Sequence, residues 1–199
     1  MPEILLNETE RIFTVEGVRY PTVSDILQKE EFIDNHFFTE QGAENGTRRH
    51  LACYLDDMND LDEDSVDEDD LPYLEAWRQL KKDTGIVIVQ GEKRDFNHIY
   101  KYCGKPDTIV MFDGHKEVWD RKTGKREPWH RFQIGGYIGL YDDVFYGRCV
   151  YLQDNGLFKL GERYGRKDRE DFLTILKTYY LREEMNNGTN RKGNRNTAE

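Results

Sequence analysis

The Asp113-Gly114 pair constrains the fold of this chain more than any other local feature of its sequence. An Asp-Gly pair between two strand-forming segments favours a two-residue β-hairpin, because both turn positions take positive φ angles. We predict the two strands over residues 108–112 and 116–121. Counting outward from the turn places Asp107 directly opposite Asp120, with their Cβ atoms roughly 5 Å apart.

Asp107 and Asp120, facing each other in this way, predict a metal site. Two adjacent carboxylates repel each other unless a cation lies between them, and Mg²⁺ and Mn²⁺ accept such hard oxygen ligands. Lys122 lies two residues after Asp120, so strand alternation places it on the same face, beside the ion. The ion would polarise a phosphate and lower the pKa of water, while the lysine orients that water or neutralises developing charge. The three residues therefore predict phosphodiester hydrolysis.

Each candidate residue also fits a simpler role. Without Asp107 opposite them, Asp120 and Lys122 would form an ordinary exposed strand pair worth under ~1 kcal/mol. His50 on its own is typical of a half-buried histidine near a helix start. Glu92, at the end of a predicted strand, is on its own typical of a solvated acid. The chemistry therefore depends on the whole group rather than on any single residue.

Hydrophobic periodicity predicts helices, then a meander of strands, a helix, strands and a final helix. The predicted strands are a hairpin over residues 11–21, then 86–90, 97–103, 108–112, 116–121, 144–152 and 158–160. The five predicted helices begin at Thr22, Thr47, Pro72, Pro128 and near Lys167. The apolar face of the second helix consists of Leu51, Tyr54, Leu55 and Met58, and the third helix ends near Gly85. We therefore predict an α/β fold with a mixed central β-sheet flanked by helices. It forms a single domain over residues 1–185, followed by a disordered tail over residues 186–199.

The charge of the chain is distributed unevenly around a net charge of −10. Residues 1–70 hold 5 Lys and Arg against 20 Asp and Glu, whereas residues 71–199 hold 24 against 19. Ten of the acids lie within residues 56–70, which indicates a solvated loop; the alternative is a phosphate mimic that shields a basic cleft. Because nucleic-acid binding depends on where the basic residues gather, the bulk charge does not exclude it.

Cysteine spacing and hydropathy indicate the cellular setting. Cys53, Cys103 and Cys149 lie about 50 residues apart, which fits neither a zinc motif, an iron–sulfur cluster nor a disulfide framework. No apolar run approaches the ~18 residues of a membrane span, and the first residues lack the pattern of a secretion signal. We therefore expect a cytoplasmic protein without a membrane partner, in a bacterium or a phage-infected host.

The region around the hairpin resembles the PD-(D/E)XK nucleases, and within them the RecB-like exonucleases. Pro106-Asp107 and Asp120-Arg121-Lys122 match the two halves of the signature. Four further segments are similar to the RecB-like branch and its phage-encoded members, in the same order: Tyr20-Pro21-Thr22-Val23-Ser24, Gly46-Thr47-Arg48-Arg49-His50, Thr123-Gly124, and Gln133 with Tyr137. The likeness covers about residues 11–152.

The resemblance implies a restriction-endonuclease-like core and a metal-dependent DNA exonuclease that acts in recombination, repair or phage DNA processing. The cofactor would be Mg²⁺ or Mn²⁺, held by His50, Asp107, Asp120 and the backbone carbonyl of Arg121, with Glu92 in the position of another acid ligand. Gln133 and Tyr137 would lie beside the catalytic lysine and the DNA.

Basic residues near the predicted cleft would contact the phosphates of DNA; they are Arg121, Lys125, Arg126 and Arg131. Tyr54 departs from the family pattern, since many relatives have an acid there, and we expect one tightly held metal with any second ion bound more weakly. Two other functions remain open: a catalytically idle DNA-binding or assembly module, against which the intact Lys122 argues, and a structure-specific endonuclease. The sequence predicts no particular oligomeric state.

Overall fold

The computed structural model describes residues 4–7, 12–34 and 39–193, with side chains described for residues 13–34 and 39–186. In chain order its elements are β1 (Ile4–Asn7), β2 (Ile12–Val15), β3 (Val18–Tyr20), α1 (Val23–Lys29), α2 (Glu40–Asp57), α3 (Leu71–Thr84), β4 (Val87–Gln90), β5 (Asp95–Asn97), β6 (Tyr102–Gly104), β7 (Thr108–Phe112), β8 (His115–Lys122), α4 (His130–Ile138), β9 (Tyr146–Leu152), β10 (Phe158–Leu160) and α5 (Arg166–Gly193). A single turn of 3₁₀ helix, Glu63–Ser65, lies between α2 and α3.

Five strands form the central sheet, in the order β10-β9-β8-β7-β4. β8 and β9 are parallel, whereas the other neighbouring strands are antiparallel. Parallel neighbours need a crossover connection, and α4 supplies it between β8 and β9. Smaller sheets of β1-β2-β3 and β5-β6 complete the described strands. The predicted α/β class with a mixed central sheet flanked by helices is therefore confirmed.

Different helices cover the two faces of the central sheet. One face, which carries Ile109 and Val118, packs against α1, α4 and α5. The opposite face, which carries Val110 and Trp119, packs against α3. Because side chains alternate along a strand, Asp120 lies on the first of these faces and the residue after it on the second.

The β7–β8 hairpin has the predicted turn and register. The turn residues Asp113-Gly114 have φ angles of 49° and 75°, which glycine and aspartate tolerate better than most residues. The ladder pairs Thr108 with Trp119, so that Asp107 and Asp120 face each other one step beyond it. The local sequence therefore brings the two carboxylates together through backbone pairing alone.

Helix α2 begins earlier than predicted. Its N-cap is Thr39, whose side chain accepts a hydrogen bond from Gly42 N at 3.1 Å, so the prediction of a start at Thr47 is wrong. Both threonines are good caps, but Thr39 has the extended backbone (φ −89°, ψ 148°) that a cap requires. The predicted apolar face is also wrong, because Leu51 is half exposed and Cys53 is the buried residue of this helix.

The predicted strand over residues 97–103 is wrong, because β5 and β6 are two short strands joined by a turn. Asn97 Oδ1 accepts a hydrogen bond from Tyr100 N at 2.8 Å, and Lys101 has a positive φ of 56°. An Asn side chain that bonds the backbone a few residues later favours a turn over a strand. Cys103 N then donates to Pro21 O at 3.0 Å and so ties this hairpin to the chain before α1.

The acidic segment, residues 56–70, is a solvated loop only in its middle. At one end Lys81 Nζ of α3 lies 2.7 Å from Asp57 Oδ1. At the other end the buried Asp70 carboxylate lies 2.8 Å from Arg49 Nε of α2. The ends of the segment therefore hold α2 and α3 together, and the predicted loop is shorter than the acidic run.

The predicted hairpin within residues 11–21 is confirmed as β2 and β3, with its turn at Glu16-Gly17. The Thr22 cap of α1 and the Gly85 cap of α3 are also confirmed. Helix α5 continues to Gly193, and residues 194–199 lie outside the described residues, so the predicted boundary between domain and tail at residue 186 stays a prediction. None of the helices within the described ranges is long and apolar enough to cross a membrane.

Candidate metal centre and active site

Three donor groups meet at the open end of the β7–β8 hairpin. His50 of α2, Glu92 from the loop after β4 and Asp107 just before β7 each offer one ligand atom, and these atoms lie within 4.8 Å of one another. His50 Nδ1 lies 3.0 Å from Asp107 Oδ1. An imidazole nitrogen with two carboxylate oxygens suits Mn²⁺, and the oxygens suit Mg²⁺. We call these three residues the donor cluster.

Asp107 is held in its ionised form. Its Oδ2 accepts a hydrogen bond from Arg121 N at 2.6 Å. Burial would raise the pKa of Asp107, but the charge and hydrogen bond of His50, together with the positive charge of Arg121, hold that pKa well below its usual range. Burial would likewise lower the pKa of His50, whereas Asp107 raises it above its ordinary value. A proton on His50 therefore competes with a metal ion for the imidazole.

Asp120 and Lys122 form a second polar group, which lies outside the donor cluster. Lys122 Nζ lies 2.5 Å from Asp120 Oδ2 and donates to Gln133 Oε1 at 2.7 Å. Gln133 Nε2 in turn donates to Tyr137 OH at 3.1 Å. These two residues lie one turn apart on α4 and present one face to the lysine. The structure therefore places Gln133 and Tyr137 beside the lysine, as the resemblance implies.

The charges of Asp120 and Lys122 depend on each other. Burial raises the pKa of Asp120 above its usual range; Lys122 offsets part of this rise, and the charge of Asp107 adds to it. Burial would lower the pKa of Lys122, but the adjacent Asp120 carboxylate outweighs burial and raises it. The lysine is therefore a protonated ammonium group at neutral pH.

Arg121 lies on the opposite face of β8, and its side chain is fully buried. Its Nη1 lies 3.2 Å from Asp57 Oδ2, and the guanidinium lies over the Trp77 ring at 5.0 Å. The prediction that this side chain contacts DNA phosphates is therefore wrong, because strand alternation turns it away from solvent. The predicted role of its backbone carbonyl as a metal ligand stays a prediction.

The other predicted phosphate contacts lie on the surface after β8. Lys125 is exposed. Arg126 pairs with Glu162, and Arg131 Nη1 lies 3.2 Å from Asp168 Oδ1 on α5. These two arginines are therefore held by acids and would have to exchange partners to bind DNA, whereas the exposed lysine can contact DNA without such an exchange.

A cleft of about 690 Å³ lies over the donor cluster, and all three cluster residues line it. Arg94 and Lys105 add positive charge to its walls, and Lys105 Nζ lies 2.6 Å from Glu92 Oε2. Ala43 and Gly46 of α2 form part of the same wall, where their small side chains leave the cleft wide. The cleft therefore combines room, positive charge and metal-ligand atoms.

Two residues of the site were missed by the sequence analysis. Asp57 was not identified as a site residue, yet it lies seven residues after His50, two helical turns along the same face of α2, and that spacing is the signal that identifies it. His130 is buried, with its Nδ1 3.1 Å from Tyr151 OH. Burial and the charge of Lys122 lower the pKa of His130 to about 3, so this imidazole is neutral beside the lysine. No sequence pattern identifies it.

The donor atoms fit a hard divalent cation. The donor cluster supplies one nitrogen and two carboxylates. Asp120 Oδ2 is buried and, within the described residues, makes no hydrogen bond, although it lies at ion-pair distance from Lys122. The Lys122 ammonium group already lies beside this oxygen, so a metal ion bound there would share the carboxylate with Lys122.

Comparison with known proteins rests on the fold, because no protein-family model and no curated protein sequence matches this chain. The crystal structure of an alkaline exonuclease, LHK-Exo from Laribacter hongkongensis, aligns with 90% of this chain and 95% of its own, at a TM-score of 0.52 and 12% sequence identity. The fold is exonuclease-like. The structure of SSO0001 aligns with 78% of this chain and 84% of its own at 16% identity, but its TM-score of 0.37 is too low to indicate a shared fold. The exonuclease-like fold confirms the architecture implied by the PD-(D/E)XK resemblance, and at this identity it shows the fold alone.

Proposed function

We propose that the protein is a Mg²⁺- or Mn²⁺-dependent deoxyribonuclease that hydrolyses phosphodiester bonds from DNA ends. The observation that carries the proposal is the meeting of the donor cluster with the buried Asp120–Lys122 pair at the end of one hairpin. The exonuclease-like fold supports it, and the cleft offers the positive charge that a nucleic acid backbone requires.

In this proposal His50 and Asp107 of the donor cluster hold the ion together with Asp120, and the third cluster residue, Glu92, is a further ligand. The backbone carbonyl of Arg121 is also a proposed ligand. A bound divalent ion would polarise the phosphate and lower the pKa of water. Asp107, whose pKa lies well below its usual range, is ionised and ready to bind the ion at neutral pH.

Lys122 acts as a cation rather than as a base. The Asp120 carboxylate raises the pKa of its ammonium group, so Lys122 cannot accept a proton from water at neutral pH. The group instead orients the attacking water and neutralises negative charge that develops on the phosphate. Gln133 fixes its position by accepting one of its hydrogen bonds at 2.7 Å, and Tyr137 fixes Gln133.

DNA would enter the cleft between α2 and the hairpin. Arg94 and Lys105 on the walls, with the exposed Lys125 after β8, are the cations placed to meet phosphates. A substrate phosphate near Lys105 would draw its ammonium group from Glu92 and so free that carboxylate for the ion.

End-labelled linear duplex DNA and covalently closed circular DNA, digested in parallel with Mg²⁺, Mn²⁺, Ca²⁺ or chelator, test the proposal. We expect linear DNA to be degraded from its ends with Mg²⁺ or Mn²⁺ and not with Ca²⁺, which binds the same oxygens with looser geometry. Asp107→Asn should abolish cleavage, and Asp142→Asn, at an exposed acid outside the site, is the matched control.

Each contrary outcome has a separate meaning. Cleavage of closed circles would favour the endonuclease alternative. DNA binding without cleavage in any ion would favour the catalytically idle module. Undiminished cleavage in excess chelator would overturn the metal-dependent mechanism altogether.

A further inference from the structure

Arg121 lies beneath the donor cluster as an internal cation. The position between Asp120 and Lys122 in β8 turns its side chain into the α3 side of the sheet, where it is fully buried. Asp57 binds one end of the guanidinium at 3.2 Å, and the Trp77 ring supports its plane. These contacts fix the guanidinium in place, since a buried arginine is held by its charge partner and its aromatic neighbour together.

The remaining nitrogens of this guanidinium lie close to the donor cluster. Arg121 Nη2 is 3.6 Å from Glu92 Oε1, and Arg121 Nε is 3.9 Å from Asp107 Oδ2. Both nitrogens are buried and make no hydrogen bond to any described residue. At these distances, inside the protein, the charge attracts both carboxylates strongly without occupying their ligand positions. The arginine therefore offsets the repulsion between two acids that one metal ion is proposed to share.

Among the described residues that line the cleft, Glu92 and Asp107 are the acids. Tyr54, one turn after His50, packs against Gly91, where an added Cβ would lie 2.7 Å from Tyr54 Cε2. A side chain at residue 91 would therefore require the Tyr54 ring to shift, because this ring occupies the space beside Gly91. Within the described part of the chain, the donor cluster is the one group of three metal-ligating side chains.

We propose that Arg121 is a positioning residue that takes the electrostatic place of a second divalent ion and limits this site to one. The inference rests on the proposed function, because it concerns the ion that the donor cluster would bind. The permanent positive charge of Arg121 lies 3.6 Å from the Glu92 carboxylate and 3.9 Å from the Asp107 carboxylate, and a second ion would need both of them. This charge is the proposed reason why the site binds one ion. Asp57 anchors that charge from behind.

Calorimetric titration with Mn²⁺ alone, checked by the electron paramagnetic resonance signal of free Mn²⁺, measures the number of ions per chain. The test variant combines Arg121→Met with Asp57→Asn, which removes opposite charges together. Lys81, the other cation at Asp57, keeps Asp56 Oδ2 at 2.8 Å. We expect one ion in the wild-type protein and two in this variant. Arg121→Lys keeps the positive charge and should remain at one ion.

The matched control removes a largely buried ion pair elsewhere in the sheet, whose acid also pairs with the partly exposed Arg163. Arg148 Nε lies 2.9 Å from the fully buried Glu117 Oε2, and its guanidinium lies 5.8 Å from the Trp119 ring. The double substitution Arg148→Met with Glu117→Gln should lower the melting temperature and leave the binding at one ion. A merely structural role for Arg121 predicts this same result for the test variant.

The outcomes separate the two proposals. One ion in both the wild-type protein and the Arg121→Met/Asp57→Asn variant would overturn the inference and leave the proposed function standing. Two ions in the wild-type protein would do the same. No Mn²⁺ binding by the wild-type protein would overturn the proposed function and the inference with it.

Discussion

Replacing Lys122 by methionine separates its role in the fold from its role in chemistry. Methionine keeps most of the volume and removes the ammonium group that lies 2.5 Å from Asp120 Oδ2 and 2.7 Å from Gln133 Oε1. Removal of one member of a buried ion pair costs about 3–5 kcal/mol, because the other charge stays buried without compensation. We therefore expect Lys122→Met to lower the free energy of unfolding by about that amount near pH ~8 in chelator.

The loss should shrink as the pH falls. Burial and Asp107 already raise the pKa of Asp120, and removal of Lys122 raises it further. A carboxyl group whose pKa is higher in the folded than in the unfolded protein destabilises the fold at any pH above the folded-state pKa. This cost is relieved as the pH falls below the folded-state pKa, because the folded protein then binds the proton first. Between the folded pKa and the unfolded value of about 3.9, the relief amounts to about 1.4 kcal/mol per pH unit.

Urea denaturation near pH ~8 and pH ~5.5 in chelator measures both effects. Lys122→Met with Asp120→Asn should recover most of the lost stability, and Lys125→Met, at an exposed lysine, should lose almost none. Cleavage by Lys122→Met should fall about 100-fold or more and should not return at any metal concentration. The same loss of stability at both pH values, or in both the single and the double variant, would refute a buried Asp120–Lys122 pair.

Two further predictions concern histidines. His50→Ala should weaken Mn²⁺ binding more than Mg²⁺ binding in calorimetric titration, because nitrogen ligands suit the softer ion, and an equal loss for both ions would place His50 outside the ligand set. Burial and Lys122 lower the pKa of His130 to about 3. Below about pH 6.5 the unfolded chain therefore takes up a proton that the folded chain does not. The free energy of unfolding then decreases by at most about 1.4 kcal/mol for each unit by which the pH is lowered. His130→Asn keeps an acceptor for Glu127 N and cannot be protonated. Between about pH 7 and pH 5, its unfolding free energy, measured in urea, should therefore fall less than that of the wild-type protein. An equal fall of unfolding free energy with decreasing pH in both proteins would contradict a neutral His130.

The parts of this protein that could be predicted from its sequence are those that local geometry controls. A two-residue turn fixes the register of a hairpin, and this register places Asp107 opposite Asp120 and Lys122 on the same face. Strong caps such as Gly85, with a φ of 64°, mark helix ends in the same local way. The mixed sheet follows from the order of the elements and the length of their connections.

The parts that were missed depend on contacts between distant segments. Alternation along β8 predicts that Arg121 turns away from Asp120, but the acid that accepts it, Asp57, lies on another element and depends on how α2 packs against the sheet. The start of α2 was misplaced because two threonines compete as caps, and only the backbone at Thr39 is extended. The neutral state of His130 depends on tertiary burial, which periodicity does not report.

The contacts of Asp107 also imply an order in which the site assembles. The carboxylate accepts the backbone N–H of Arg121, only 14 residues later in the chain, and a β-hairpin of this kind forms within roughly 1–10 μs. Its contact with His50 closes a segment of 57 residues, and contacts between distant residues form more slowly because more chain entropy is lost first. We therefore expect the two halves of the candidate site to form at different times during folding, with the acids paired on the hairpin first and the imidazole added when α2 docks. A metal ion present during refolding would meet the carboxylates before the histidine, so it would accelerate the late docking step rather than the formation of the hairpin.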